Sequence, residues 1–174
     1  MRFTIRDSRP ADFPTLWKID QSCFPPGISY TPWELKTYMC RWGAFTLVAE
    51  SDTEPDSEPG REETARTEQV GVGILGFLVA ERSRRGPGHI ITIDVVSLAR
   101  RQRVGSELLD AAEERLRTLG CSWVQLETAV DNGAALFFYK QHGYSVIKTV
   151  PRYYASGVDA LVLEKKLRLS VASR

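Results

Sequence analysis

Cysteine and histidine are scarce: three Cys (Cys23, Cys40, Cys121) and two His (His89, His142) in 174 residues. The cysteines form no CxxC pair and the histidines supply no metal-ligand spacing, so no metal is expected. An odd number of widely spaced thiols argues against a disulfide framework and suits a reducing compartment. From Met1 to Asp7 the chain lacks the apolar stretch of a signal peptide. No run approaches the ~20 apolar residues that span a bilayer. Charge of one sign is also missing. The 23 Lys and Arg stand against 22 Asp and Glu, a net charge of +1 that gives no global field toward nucleic acid or an anionic membrane. The expectation is a cytoplasmic protein with neither nucleic-acid nor membrane partner.

What remains is ordinary globular composition, 43% hydrophobic and 26% charged. The length suits one domain over residues 1–174. Phe3 and Ile5 alternate with Thr4 and Arg6 as in a half-buried strand. Ser8 and Pro10 are placed to cap and open a helix carrying Phe13, Leu16, Trp17, Ile19 and Asp20, which ends at Pro25-Pro26-Gly27. Thr31, Pro32 and Glu34 spell a capping box for a second helix with Leu35, Tyr38 and Met39. Strands are predicted over 44–49, 70–80 and 90–96, the last a β-branched run covered on both faces. The acidic stretch 51–69, with seven acidic residues and two Arg, reads as a mobile hairpin loop. A stripe of Val104, Leu108, Ala112, Leu116 and Leu119 marks a helix stopped by Gly120. A buried strand at 123–126, a helix at 132–141 with Ala135, Leu136 and Tyr139 inward, and strands at 144–150 and 159–163 complete a mixed α/β order, β-α-α-β-β-β-α-β-α-β-β.

Two glycine motifs invite comparison. Gly71, Gly73 and Gly76 match GxGxxG, but strand-like residues follow where a dinucleotide site needs a helix, so that match is set aside. Arg100, Arg101, Gln102, Arg103, Val104, Gly105 and Ser106 follow an apolar strand and open a helix. There the positive helix end and backbone N–H groups suit an anionic phosphate group, although a solvated basic turn has the same composition.

That run, with Ile93, Asp94 and Val95 before it, resembles the acetyl-CoA motif of the GNAT superfamily of N-acetyltransferases, Arg/Gln-x-x-Gly-x-Gly/Ala, here Arg100-x-x-Arg103-x-Gly105. Arg103 replaces the first glycine, which is tolerable if its φ is negative. Leu126 to Ala135 and Phe138 to Tyr144 resemble the last cofactor segment of the family, and more narrowly the RimI-like branch that acetylates protein N-termini. Glu127, Asn132 and Tyr139 fall at that branch's spacing, and Asn132 is the only asparagine in the chain. The resemblance implies the GNAT fold: a mixed, mostly antiparallel sheet of about seven strands flanked by four helices. It implies acetyl-CoA held by Ile93, Asp94, Val95, Arg100 to Ser106, Asn132 and Tyr139, with a peptide N-terminus bound by Tyr30, Tyr153 and Tyr154. It also implies action as a monomer or weak homodimer.

Acetyl transfer from a thioester to an amine needs a neutral amine, an escort for its proton and an acid for the leaving thiolate. Glu127, on a strand end, suits a base acting through water, and Tyr139 suits the acid. An α-amino group (pKa ~7.7–8) is neutral at physiological pH far more often than a lysine amine (~10.4). His89, where relatives place a relaying carboxylate or tyrosine, is a second base candidate; the preceding Gly86-Pro87-Gly88 turn equally suits a surface histidine. His142 marks a helix end. The competing readings are a small-amine acetyltransferase, a non-catalytic acyl-CoA-binding module, and a nucleic-acid binder using the Arg82–Arg85 and Arg100–Arg103 clusters, opposed by the charge balance.

Overall fold

The chain order follows the sequence periodicities closely. A computed structural model describes residues 1–52, 73–84 and 86–167. Its elements are β1 (Phe3–Asp7), α1 (Phe13–Cys23), α2 (Pro32–Met39), β2 (Ala44–Ser51), β3 (Ile74–Arg82), β4 (Gly88–Val95), α3 (Val104–Thr118), β5 (Trp123–Ala129), α4 (Gly133–Gln141), β6 (Ser145–Val150) and β7 (Ala160–Lys166). Most of the acidic stretch 51–69 lies outside the described residues, as does Gly71. Gly76 of the GxGxxG match sits within β3 with no helix after it.

Local chemistry explains the helix ends. Thr31 Oγ1 accepts the Glu34 N–H at 3.2 Å, and the Glu34 carboxylate accepts the Thr31 N–H at 2.8 Å. Ser8 does not cap α1. A 3-10 turn at Pro10–Asp12 intervenes, and Asp12 Oδ2 accepts the Arg9 N–H at 2.7 Å instead. Proline at the first position sets the turn one residue later than the hydroxyl suggests. In α3, Val104, Leu108, Ala112 and Leu116 are buried, but Leu119 is 40% exposed. The helix ends at Thr118 and Gly120 turns at φ +88, so Leu119 no longer lies on the stripe. Asn132 Oδ1 caps α4 by accepting the Ala135 N–H at 3.1 Å.

The seven strands form one sheet in the order β1-β2-β3-β4-β5-β7-β6. Only β4 and β5 run parallel; each other neighbouring pair is antiparallel. Helices α3 and α4 cover one face over Leu78, Ile90, Val124 and Leu126; α1 and α2 cover the other over Val48, Phe77 and Val79. Both faces of β4 are thus covered, as expected. The buried carboxylate of α3, Glu113, accepts from Tyr144 Oη at 2.9 Å and Lys165 Nζ at 2.5 Å. Trp123, placed in a buried strand from sequence, is 38% exposed because it starts β5 at the sheet's rim.

Two features of β4 position the site. Ile90 faces Ala80 and Thr92 faces Val79, leaving Ile91 as an extra residue, a bulge that bends the strand. The β4–β5 ladder stops at the same place, with Ile90 opposite Leu126. Beyond it each strand continues, paired only on its outer side. Gly76 lets β3 lie close against the far end of β4: a Cβ there would meet Asp94 O at 2.5 Å and Val95 Cα at 3.2 Å. Replacing Gly76 with Ala is expected to lower stability by about 1–3 kcal/mol in urea unfolding, because backbone rather than a yielding side chain must move.

Candidate active site

The opening between β4 and β5 is lined from several directions. From its end, residues Ser97 to Arg103 lead into α3, whose first turn carries N–H groups without intrahelical acceptors. Arg101 and Arg103 both adopt positive φ, +60 and +68. The expected negative φ at Arg103 is therefore overturned: the arginine takes the left-handed conformation that a glycine would adopt. Alternation of this kind is the backbone form from which anion-binding nests are built. The loop is held in it by three contacts. Arg100 Nε donates to Val95 O at 3.1 Å, Gln102 Nε2 to Leu98 O at 2.7 Å, and Glu107 N to Arg103 O at 2.9 Å.

The side chains of this run do not act together. Arg100 is turned onto the end of β4, with Nη2 also 3.7 Å from Cys23 Sγ. The Arg103 side chain is 80% exposed, with Glu107 3.5 Å away. Ser106 meets His142 Nε2 at 3.1 Å, while His142 Nδ1 lies 2.8 Å from Phe138 O, so the residue at the end of α4 also ties down the start of α3. Gly105 lies at ordinary contact from Phe138. Ile93 and Val95 turn their side chains into the α3-side core, leaving their backbone as the part that can meet a ligand. Asn132 is engaged as the α4 cap.

Two candidate catalytic groups meet on the α1/α2 side of the sheet. Glu127 stands one residue past the last β4–β5 rung, and its Oε2 lies 2.6 Å from His89 Nε2. Burial alone would lower the pKa of His89, but its hydrogen bond to Glu127 and the charges of Glu127 and Glu81 outweigh this and hold it above the usual value. Tyr139 comes from the α3/α4 layer and is 6% exposed. Burial, with Asp94 and Tyr154 nearby, pushes its hydroxyl well above the ordinary phenol range, so it is a proton-bearing group.

The three candidate acceptor tyrosines also converge. Tyr30 is clamped to α1: its N–H donates to Asp20 Oδ2 at 2.9 Å, and its carbonyl accepts from Gln21 Nε2 at 2.8 Å and Trp17 Nε1 at 3.2 Å. Its hydroxyl donates to Ile91 O, in the bulge, at 3.4 Å. Tyr153 and Tyr154 pack edge-on, 5.0 Å apart, and both feel the charge of Glu127. Their loop is pinned by Asp159 Oδ1, which accepts the Arg152 N–H at 2.8 Å. The two loops touch where Gly27 approaches Ser156.

Sequence inspection missed Glu81, Tyr38 and the setting of the acidic pair beneath the slot. Tyr38 packs against Tyr30 with tilted rings, centroids 5.1 Å apart and planes at 58°. Asp20 and Asp94 are both fully buried, and each keeps an Oδ1 without a hydrogen-bond partner among the described residues. A carboxylate on the apolar stripe of α1 was the available signal for Asp20. Glu81 gave none, because its importance comes from register.

Burial raises the Asp20 pKa to about 6, with the charge of Glu34 adding to the rise and the bonds from Tyr30 and Gln21 opposing it. The folded state therefore binds more protons than the unfolded chain between the ordinary carboxyl value of 3.8 and about 6, and stability falls as pH rises through that window. Asp20→Asn is expected to flatten this dependence and, by linkage alone, to be more stable near neutrality by up to roughly 3 kcal/mol in urea unfolding. Arg103→Gly is expected to add about 0.5–1 kcal/mol by relieving the left-handed arginine, read the same way.

Comparison with known proteins agrees with this fold. The model of the acetyltransferase (GNAT) family matches residues 13–144. An uncharacterized N-acetyltransferase of Methanocaldococcus jannaschii is 37% identical over 94 residues, 53% of this chain and 60% of that protein. An N-alpha-acetyltransferase of Sulfurisphaera tokodaii is 27% identical over 172 residues, 95% of this chain and 93% of that protein. Among solved structures, Ard1 from Thermoplasma volcanium superposes with a TM-score of 0.75 at 24% identity, covering 96% of this chain and 99% of that one, and shares the fold. With most of its length matched by the family pattern and its sheet built in the same way, the chain belongs to the acetyltransferase (GNAT) family.

Proposed function

We propose that the protein is an acetyl-CoA-dependent N-acetyltransferase of the RimI-like branch, acting on the α-amino group of a protein or peptide N-terminus. The observation that carries this reading is the pairing of Glu127 with His89 on one side of the β4–β5 opening, with buried Tyr139 coming from the other layer. The tyrosines beside Glu127 support a peptide acceptor, as does the likeness to a protein named N-alpha-acetyltransferase.

The donor fits the residues present. The nest-like turn at Arg101–Arg103 and the start of α3 suit a pyrophosphate, with Arg100, Gln102, Val104, Gly105 and Ser106 shaping that turn. The backbone of Ile93, Asp94 and Val95 suits the extended pantetheine arm, and Asn132 fixes α4 alongside. In the reaction the amine nitrogen attacks the thioester carbonyl carbon; a C–N bond forms and the C–S bond breaks. The amine proton passes through water to Glu127 and on to neutral His89, which releases it to solvent before the next turnover. Tyr139 gives its proton to the thiolate and regains one from solvent. Tyr30, Tyr153 and Tyr154 hold the first residues of the acceptor. The same reading takes the protein as a cytoplasmic monomer or weak homodimer, without metal, nucleic-acid or membrane partner.

The decisive experiment follows thiol release from acetyl-CoA with peptides bearing free N-termini, the same peptides Nα-blocked but containing lysine, and small amines. Free N-termini are expected to react and blocked ones not. Turnover of small amines alone would remove the peptide acceptor. Glu127→Gln and Tyr139→Phe are each expected to lower kcat/KM by about 100-fold or more while CoA still raises the melting temperature. Unchanged rates in both variants would leave a binding module instead of an enzyme.

A further inference from the structure

His89 stands between two carboxylates. Glu127 holds its Nε2 at 2.6 Å, and Glu81 Oε1 lies 3.8 Å from its Nδ1. Glu81 is directly opposite His89 in the β3–β4 register, on the sheet face that also carries Glu127. At that separation it acts through charge more than through a hydrogen bond. Glu81 is met in turn by Arg41, whose Nη1 is 3.7 Å from its Oε1. The Arg41 guanidinium lies 4.1 Å over the ring of Tyr38, which packs at a tilt against Tyr30. Arg41 is the most exposed side chain of this row at 45%, against 21% for Glu81, 30% for His89 and 21% for Glu127. A line of alternating charge thus leads from solvent to the candidate base.

We infer that Glu81 and Arg41 are positioning residues of the proton-accepting pair: Glu81 holds a proton on the far nitrogen of His89, and Arg41, by pairing with Glu81, weakens that hold. The inference rests on the assignment of Glu127 and His89 as the groups that take the amine proton. Under that assignment His89 accepts a proton only when neutral, so whatever stabilises its charged form sets the pH at which the pair becomes competent. Gln125 lies opposite His89 on β5 and donates to Glu164 at 2.8 Å, which places one more carboxylate a strand further along this face, while burial holds the Tyr153 and Tyr154 hydroxyls above the ordinary phenol range. Among the described residues, Glu127 and Glu81 are the carboxylates within 4 Å of His89, and Arg41 is the cation paired with Glu81. A nearby opposite charge favours the ionised form of a histidine, and a cation placed on that carboxylate reduces the effect.

The sign differs between the two residues, which gives a test that misfolding cannot imitate. The chain has two histidines, so His89 can be followed by NMR once His142 is assigned with a His142→Gln variant. Glu81→Gln is expected to lower the His89 titration midpoint by about half a pH unit or more, and Arg41→Gln to raise it by a smaller amount. The acid limb of kcat/KM for a free N-terminal peptide is expected to move the same way in each variant. An unchanged midpoint in Glu81→Gln, or shifts of the same sign in both variants, would overturn the inference. Opposite midpoint shifts with a fixed acid limb would uphold the role of Glu81 and Arg41 and remove His89 from the proton path.

Discussion

The parting of β4 from β5 is the constraint on which the rest of the molecule depends. Three rungs of parallel pairing end where the extra residue Ile91 bends β4, and from there the two strands hold only their outer partners. Parallel neighbours need a crossover, and here the crossover is α3, whose first turn follows the end of β4. After β5, the chain turns at once into α4 through the Asn132 cap. One divergence thus gathers a strand edge, a helix start, a strand-end carboxylate and a buried tyrosine around one opening. Gly76 lets β3 follow the bent strand closely enough to keep its outer ladder intact.

Charge is distributed around that opening in a way the near-neutral total conceals. Arginines gather in the turn before α3, whereas Glu81, Glu127, Asp20 and Asp94 lie on the α1/α2 side. An anionic donor and a cationic acceptor would each meet the complementary end. The two buried aspartates have a different relation to stability. Each is desolvated, and burial pushes both carboxyls upward, with the charge of Glu34 adding to the rise at Asp20 and that of Asp20 to the rise at Asp94. Asp20 is nonetheless held where its other oxygen fixes the Tyr30 backbone, a local cost sustained by the hydrogen bonds of the acceptor loop.

The loop at Arg101 and Arg103 carries the same lesson in backbone form. A non-glycine residue in the left-handed region costs on the order of 1 kcal/mol, and sequence alone therefore favoured a negative φ at Arg103. Contacts from Arg100 to Val95, Gln102 to Leu98 and Glu107 to Arg103 over-determine the turn, and the side chain yields to the backbone.

The amino-acid sequence by itself determined the order of the elements, the capping of α2, most of the buried stripe of α3 and the location of the phosphate-suited turn. All of these depend on residues a few positions apart, within the reach of a helical or strand period. The sequence also singled out Glu127 and Tyr139 through motif spacing, and His89 and the candidate acceptor tyrosines through the strand and loops in which the family resemblance places such residues. Only the tertiary structure decided that His89 touches Glu127, 38 positions away, that Glu81 stands on its other side, and that Asp20 reaches Tyr30. Those contacts depend on strand order, on a register in which a slip of one residue reverses every face, and on a bulge at Ile91 that no local pattern announces.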